Sequence, residues 1–275
     1  MKAIKAEHRI FTAQELKQFK SRMANLSDAS LYIDFESLVH VDGKPVAIYK
    51  KMNEELKPLL YACEAIDFPT YSRTNGMLTQ TVGINYSPRN ARRVNMCQAT
   101  DLHVKNGFIH DVFIEYAKII GASYKKYFSK AHNYQIQTFV NGEKAINKAY
   151  LINGTPFTGG VANKNSSLTY HIDKANTPDG ISCMIIMKAN TIGGELVLPE
   201  LGISFACQDG YMLLFDGQKY LHGVTPIRNQ KGGYRYSVVY YNNKGMALCL
   251  PPDEELKHFE EYNKRLVLKK ENDEG

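Results

Sequence analysis

Three side chains between residues 171 and 222 can hold a metal ion. His171 and Asp173 stand two apart in Tyr170-His171-Ile172-Asp173. On a strand that spacing sends both side chains to one face. His222 lies far along the chain, after the apolar run Met212-Leu213-Leu214-Phe215 and just before Gly223-Val224. Two neutral imidazoles and one ionised carboxylate are donors for a divalent transition metal. A His-x-Asp triplet alone is a weak signal, because most such pairs are ordinary surface residues. Its surroundings strengthen it. Gly193-Gly194 followed by Leu196 and Leu198 predicts a strand that starts tightly, and Asp209-Gly210 predicts a hairpin turn.

Arg235 and Ser237 share a face of a predicted strand over 234–241. A guanidinium fork with a hydroxyl beside it suits a carboxylate, which it can bind through two hydrogen bonds. Arg228 is the rival anchor, but it follows Pro226 in a predicted loop, so Arg235 is preferred. Two histidines and one carboxylate, with the other coordination positions open, form the facial triad of non-haem Fe(II) oxygenases.

The elements that position these residues are mostly strands. Strand patterns and turn signals dominate from about 135 to 245. Residues 136–140 and 149–152 read as strands, and 181–187 is an unbroken apolar run, hence a buried core strand. Upstream, Thr12 with Glu15 three residues on gives a capping box for a helix over 12–25. Short strands are expected at 31–35 and 45–49 around an Asp42-Gly43 turn, and a helix over 53–63. Residues 108–130 form an amphipathic helix ending in Lys125-Lys126, and Asp253 caps a last helix after Pro251-Pro252. The fold class is α+β: a double-stranded β-helix, or jelly roll, with flanking N- and C-terminal helices. One oxygenase domain is expected over 1–275. Residues 1–74 form an N-terminal buttress, 75–250 the catalytic core, and 251–275 a C-terminal helix and tail.

Composition restricts the function classes. No apolar run approaches the roughly 20 residues that span a membrane, and the first eight residues lack a signal peptide's apolar core. The chain is expected to act inside a cell, in cytoplasm, nucleus or a phage-infected host, and not to be secreted. The five cysteines, Cys63, Cys97, Cys183, Cys207 and Cys249, lack Cys-x-x-Cys spacing; they are read as reduced thiols. A formal charge of +6 permits a nucleic-acid partner without requiring one. No protein partner is implied.

A second stretch carries basic groups. Gly83-Ile84-Asn85-Tyr86-Ser87-Pro88-Arg89-Asn90-Ala91-Arg92-Arg93 reads as a turn-rich loop able to contact phosphates or carboxylates. Asn163 precedes His171, and Asn176 follows Asp173 by three, giving His-x-Asp-x-x-Asn. Together with the Pro-Arg loop, these motifs over about 75–241 resemble the TET/JBP branch of the 2-oxoglutarate- and Fe(II)-dependent dioxygenases. The resemblance implies Fe(II), 2-oxoglutarate and O2, and hydroxylation of the 5-methyl group of 5-methylcytosine or thymine in DNA. It implies His171, Asp173 and His222 on the metal, and Arg235 with Ser237 on 2-oxoglutarate. Asn176 would meet a flipped base. Asn163, Arg89, Arg92, Arg93 and Tyr170 are further substrate candidates, with Tyr86 a second aromatic platform. Departing from the family's pattern, these 275 residues are expected to hold neither a Cys-rich zinc region nor an added DNA-binding domain. The alternative is the same chemistry on a protein side chain or small metabolite.

Overall fold

The computed structural model describes residues 1–73, 77–89 and 96–273. Among them, ten strands form one sheet. Its order is β1 (Lys2–Lys5), β3 (Ser37–Val41), β4 (Lys44–Lys51), β13 (Tyr211–Phe215), β10 (Ser182–Ile192), β15 (Arg228–Tyr241), β8 (Gly159–Lys164), β6 (Met77–Ser87) and β5 (Thr70–Arg73), with β7 (Gln98–Ala99) paired to β6. A second sheet runs β2 (Leu31–Ile33), β12 (Ile203–Phe205), β11 (Leu196–Leu198), β14 (His222–Val224) and β9 (Leu168–His171). The helices are α1 (Ala13–Lys20), α2 (Lys57–Glu64), α3 (Asp101–Lys105), α4 (Gly107–Tyr127), α5 (Ser129–Gln135) and α6 (Pro252–Asp273). This is the double-stranded β-helix with flanking helices. No described helix is long and apolar enough to cross a membrane.

The apolar run at the start of β10 explains the layering. Its side chains alternate between two environments. Met184 and Ile186 pack with Leu196, Leu198, Phe205 and Phe215, toward the second sheet. Cys183, Ile185 and Met187 pack with Phe113, Ala117 and Ile120 of α4. A strand covered on both faces must be apolar at every position. The α4 residues Phe113, Ala117, Ile120 and Tyr124 recur at helical spacing and are all buried, which gives one apolar stripe against the sheet. Burying Phe113 completely is worth about 1.5–3 kcal/mol. The capping box of α1 forms as expected: Thr12 Oγ1 accepts from the Glu15 N–H, and Glu15 accepts from the Thr12 N–H.

Several sequence expectations are corrected. Residues Ile136–Val140 form a π-helical turn that continues α5, and Lys148–Tyr150 a 3-10 turn, where strands were expected. Short runs of this length carry no decisive period. The Asp42-Gly43 turn joins β3 to β4, while β2 pairs with β12 in the other sheet. Asp209-Gly210 links β12 to β13 in different sheets instead of closing a hairpin. Gly83–Ser87, expected in a loop, lies in β6. Cys97 and Cys249 are joined in a disulfide across 152 residues of sequence, so the reading of all five cysteines as thiols fails for two. Nothing local marks that pair; only the fold brings it together. Cys63, Cys183 and Cys207 are free and buried.

His110 at the start of α4 gives a pH test of this packing. Its ring stacks on His103 with centroids 4.1 Å apart, and its Nε2 is buried without a partner. Burial, then the neighbouring His103, pushes its pKa down to about 4, against a smaller opposing pull from Asp111. The unfolded chain therefore binds more protons than the folded one between about pH 6.5 and 4, and stability falls as pH drops through that window. Asp216 is pushed up to about 6 by burial and works in the opposite sense. His110→Phe removes only the histidine contribution. On lowering the pH from 7.5 to 4.5, wild type should lose about 2–3 kcal/mol more than His110→Phe in urea unfolding. Equal losses would show that His110 is not held neutral.

Candidate metal and co-substrate site

Strand pairing brings the two histidines together. In the antiparallel pair of β9 and β14, His171 stands directly opposite His222, with ring centroids 4.3 Å apart. Asp173 lies two residues beyond β9, where its N–H donates to the Gly217 carbonyl at 2.9 Å. Its Oδ1 is 3.6 Å from His171 Nε2 and 3.7 Å from His222 Nε2. All three donor atoms fall within 4.8 Å of one another.

The protons on both rings are fixed by the backbone. His171 Nδ1 lies 2.8 Å from the Thr169 carbonyl, and His222 Nδ1 3.0 Å from the Tyr220 carbonyl. A carbonyl only accepts, so each Nδ1 donates and each neutral ring keeps its lone pair on Nε2. Those lone pairs face Asp173 Oδ1. His222 is buried beneath the edge of Phe215. The His171 and Asp173 side chains keep 37% and 28% of their exposure, so one side of the donor set stays open, as a metal that takes up a co-substrate requires.

Arg235 occupies another part of the same cavity. It is 1% exposed. Its Nη1 donates to Ser237 Oγ at 3.4 Å, while Nε and Nη2 are buried without partners. Among the described residues no carboxylate pairs with it. Cys207 beside it is no counter-ion, because burial holds that thiol above its ordinary pKa. Lys188, directly opposite in the β10–β15 register, adds a second cation and donates to the Gly193 carbonyl at 2.7 Å. Gly194 makes room: at φ +82° a Cβ there would lie 2.6 Å from Arg235 Cδ and Nε. An unpaired buried charge costs several kcal/mol, so this end of the cavity fits a ligand carboxylate. His171, Asp173, His222, Arg235 and Ser237 all line one cavity of about 390 Å³. Arg228, the rival anchor, is exposed at the start of β15.

The substrate candidates divide. Asn163 and Asn176 line the cavity. Asn163 stands opposite Ser237 in the β8–β15 register, and its Nδ2 donates to the Ser237 carbonyl at 3.4 Å. Asn176 donates from Nδ2 to Ser182 Oγ at 3.0 Å. Tyr170 points to the other side of β9. It is 1% exposed, its hydroxyl donates to Asp28 at 2.7 Å, and it packs against Phe19. Arg89 forms an ion pair with the buried Glu255 of α6 at 2.7 Å. Arg92 and Arg93 lie outside the described residues. Tyr86 stacks edge-on against Tyr150 and His103. Ser182 and Gly217, which touch Asp173, were not singled out from sequence, since neither belongs to a motif. Tyr241 and Val161 line this cavity and also a neighbouring groove of about 930 Å³.

Residues 84–244 match the oxygenase domain of the 2OGFeDO superfamily known as Tet_JBP. The chain belongs to this family of 2-oxoglutarate- and Fe(II)-dependent dioxygenases, whose chemistry uses Fe(II), 2-oxoglutarate and O2. A curated relative is the bifunctional helicase and thymine dioxygenase JBP2 of Trypanosoma brucei brucei, 27% identical over 152 residues. That match takes in 54% of this chain and 13% of the relative, so the chain spans a small part of that protein's length. The structure of NgTET1 in complex with 5mC DNA superposes with a TM-score of 0.60 at 18% identity, covering 91% of this chain and all of that one. At that identity the likeness is one of fold.

The unpaired guanidinium gives a binding test. Adding 2-oxoglutarate with Mn(II) in place of Fe(II) should raise the melting temperature, because a ligand that binds only the folded state stabilises it. Arg235→Ala should need at least about tenfold more 2-oxoglutarate for the same shift, since a charge-assisted hydrogen bond contributes roughly 1.5–3 kcal/mol. Gly194→Ala should weaken binding in the same direction by displacing the Arg235 side chain. An unchanged 2-oxoglutarate dependence in Arg235→Ala would exclude it as the anchor.

Proposed function

We propose that the chain hydroxylates the 5-methyl group of a pyrimidine, 5-methylcytosine or thymine, in DNA. The observation that carries the reading is a single cavity with a His-Asp-His donor set and an unpaired buried arginine, inside a Tet_JBP domain. The names of the relatives, a thymine dioxygenase and a protein solved on 5mC DNA, support the substrate class.

In this reading His171, His222 and Asp173 hold Fe(II) through Nε2, Nε2 and Oδ1. Arg235 and Ser237 hold the far carboxylate of 2-oxoglutarate. Fe(II) held by the two histidines and the aspartate would supply the chemistry that couples conversion of 2-oxoglutarate and O2 to succinate and CO2 with insertion of the second oxygen atom into a methyl C–H bond. The protein's own part is placement. The backbone fixes both imidazoles, and buried Val224, Leu196 and Phe215 give the cavity an apolar wall. A stacked base cannot reach such a site, so the substrate nucleotide must leave the helix at a cost of a few kcal/mol. Tyr241, where cavity and groove meet, offers a ring to the extruded base. Asn163 and Asn176 offer amides; with Nδ2 of Asn176 committed to Ser182, its Oδ1 is the atom to accept from a pyrimidine N–H. Phosphate contacts are left to Arg92 and Arg93, because Arg89 is held by Glu255. The N-terminal segment and α6 then act as supports for one catalytic unit.

Incubation with Fe(II), 2-oxoglutarate and duplex DNA carrying 5-methylcytosine or thymine, followed by nucleoside mass spectrometry, tests the proposal. A 5-hydroxymethyl nucleoside should appear in step with succinate, and His171→Ala or Asp173→Ala should form neither. Succinate without DNA product on either substrate would redirect the assignment to a protein side chain or small metabolite.

A further inference from the structure

We propose that Ser182 is a positioning residue that holds Asp173 for the metal, and that Asn176 sets the direction of its proton. The inference rests on the triad reading above. Ser182 begins β10 and is fully buried. Its Oγ lies 2.9 Å from Asp173 Oδ2 and 3.0 Å from Asn176 Nδ2. An amide nitrogen only donates and a carboxylate only accepts. The one serine proton therefore goes to Asp173, and the relay runs from Asn176 Nδ2 to Ser182 Oγ to Asp173 Oδ2.

The surrounding chain locks this relay. Asn176 is 5% exposed. Its N–H donates to the Asp173 carbonyl at 3.0 Å, and its own carbonyl accepts from Gln218 Nε2 at 3.3 Å. Gly217 closes the other side: a Cβ there would stand 2.5 Å from Asp173 Oδ2 and 2.8 Å from Ser182 Oγ. Oδ2 is thus occupied, while Oδ1 faces both Nε2 atoms. The relay offers one oxygen to the metal and withholds the other. Without it the carboxylate is free to turn about its own axis, and a ligand that must first be ordered binds more weakly. Asn176 has a double part here, because the same amide lines the cavity that receives substrate.

Co(II) alone, titrated into metal-free protein and followed by visible absorption and calorimetry, tests the relay without turnover. Ser182→Ala should weaken Co(II) binding by about 10–100-fold, the usual effect of losing an outer hydrogen bond to a ligand. Asn176→Asp should weaken it similarly, because its carboxylate competes for the serine proton. The Ser182→Ala/Asn176→Ala double variant should bind no more weakly than Ser182→Ala, since the two residues act as one unit. Wild-type Co(II) affinity in Ser182→Ala would overturn the proposal, as would losses that simply add in the double variant. A lowered melting temperature of the metal-free protein with unchanged Co(II) affinity would assign Ser182 to folding alone, and so overturn it. Asp173→Ala separates the two levels. Its loss of Co(II) binding beside an unaffected Ser182→Ala leaves the triad standing and removes only the relay. Wild-type binding by Asp173→Ala removes the triad reading itself.

Discussion

A guanidinium buried, among the described residues, without a carboxylate partner is the constraint on which the site depends. Arg235 sits 1% exposed on β15 of the major sheet, and among the described residues no carboxylate pairs with it. Ser237 takes one hydrogen bond, the Cys207 thiol stays protonated, and Gly194 contributes no side chain. Lys188 increases the positive field, and its own pKa is lowered by burial and by Arg235, against Glu195. Such an arrangement costs several kcal/mol unless an anion arrives. The two apolar layers on either side of β10 are the part of the fold that must offset that cost. The charge then becomes selectivity: a carboxylate is favoured at this end of the cavity, and neutral ligands leave the cost uncompensated.

The period-two geometry of strands divides structural from functional work within single elements. On β9, His171 faces the cavity and Tyr170 faces the other way. Tyr170 donates to Asp28, which also takes the Arg22 guanidinium at 2.6 Å, and the Arg22 side chain lies over the Tyr170 ring. The segment after α1 therefore braces β9 from behind. Arg89 serves a comparable end. Glu255 accepts from Arg89, from the Cys97 N–H and from the Leu250 N–H, close to the disulfide that joins the same two regions. Those hydrogen bonds hold the Glu255 carboxyl below its ordinary pKa despite its burial. Residues that read as substrate contacts by type are here the supports of the strands carrying the site.

This division explains what the sequence made legible. That Arg235 and Ser237 share a face was readable from a two-residue spacing on one strand, whereas Asp173 meets His171 from beyond the end of β9, where Gly217 holds its backbone. The start of α1 was readable because a capping box is local. The β10 run was readable because only a doubly covered strand tolerates apolar residues throughout. What failed depends on partners distant in sequence. The run 136–140 extends a helix because α5 leads into it. β2 joins the second sheet because β12 lies beside it. Cys97 meets Cys249 only because the fold brings together residues 152 apart in sequence. Tyr170 and Arg89 carry side chains that suit a ligand equally well, and only the packing around Asp28 and Glu255 shows where they turn.

The three donors also differ in how they are held, and the difference follows from where they sit. His171 ends β9 and His222 opens β14, so each can donate Nδ1–H to a carbonyl two residues earlier in its own chain segment. The backbone that forms the sheet therefore also selects the tautomer, with no other side chain required. Asp173 lies past the end of its strand, where no ladder restrains it. Its backbone is tied to Gly217 and its spare oxygen to a buried hydroxyl. A ligand on a strand inherits its orientation, whereas a ligand on a turn needs partners of its own. Those partners, Ser182 and Gly217, come from strand starts and turns that no local motif connects to His-x-Asp, which is why a reading by spacing finds the ligands before it finds what holds them.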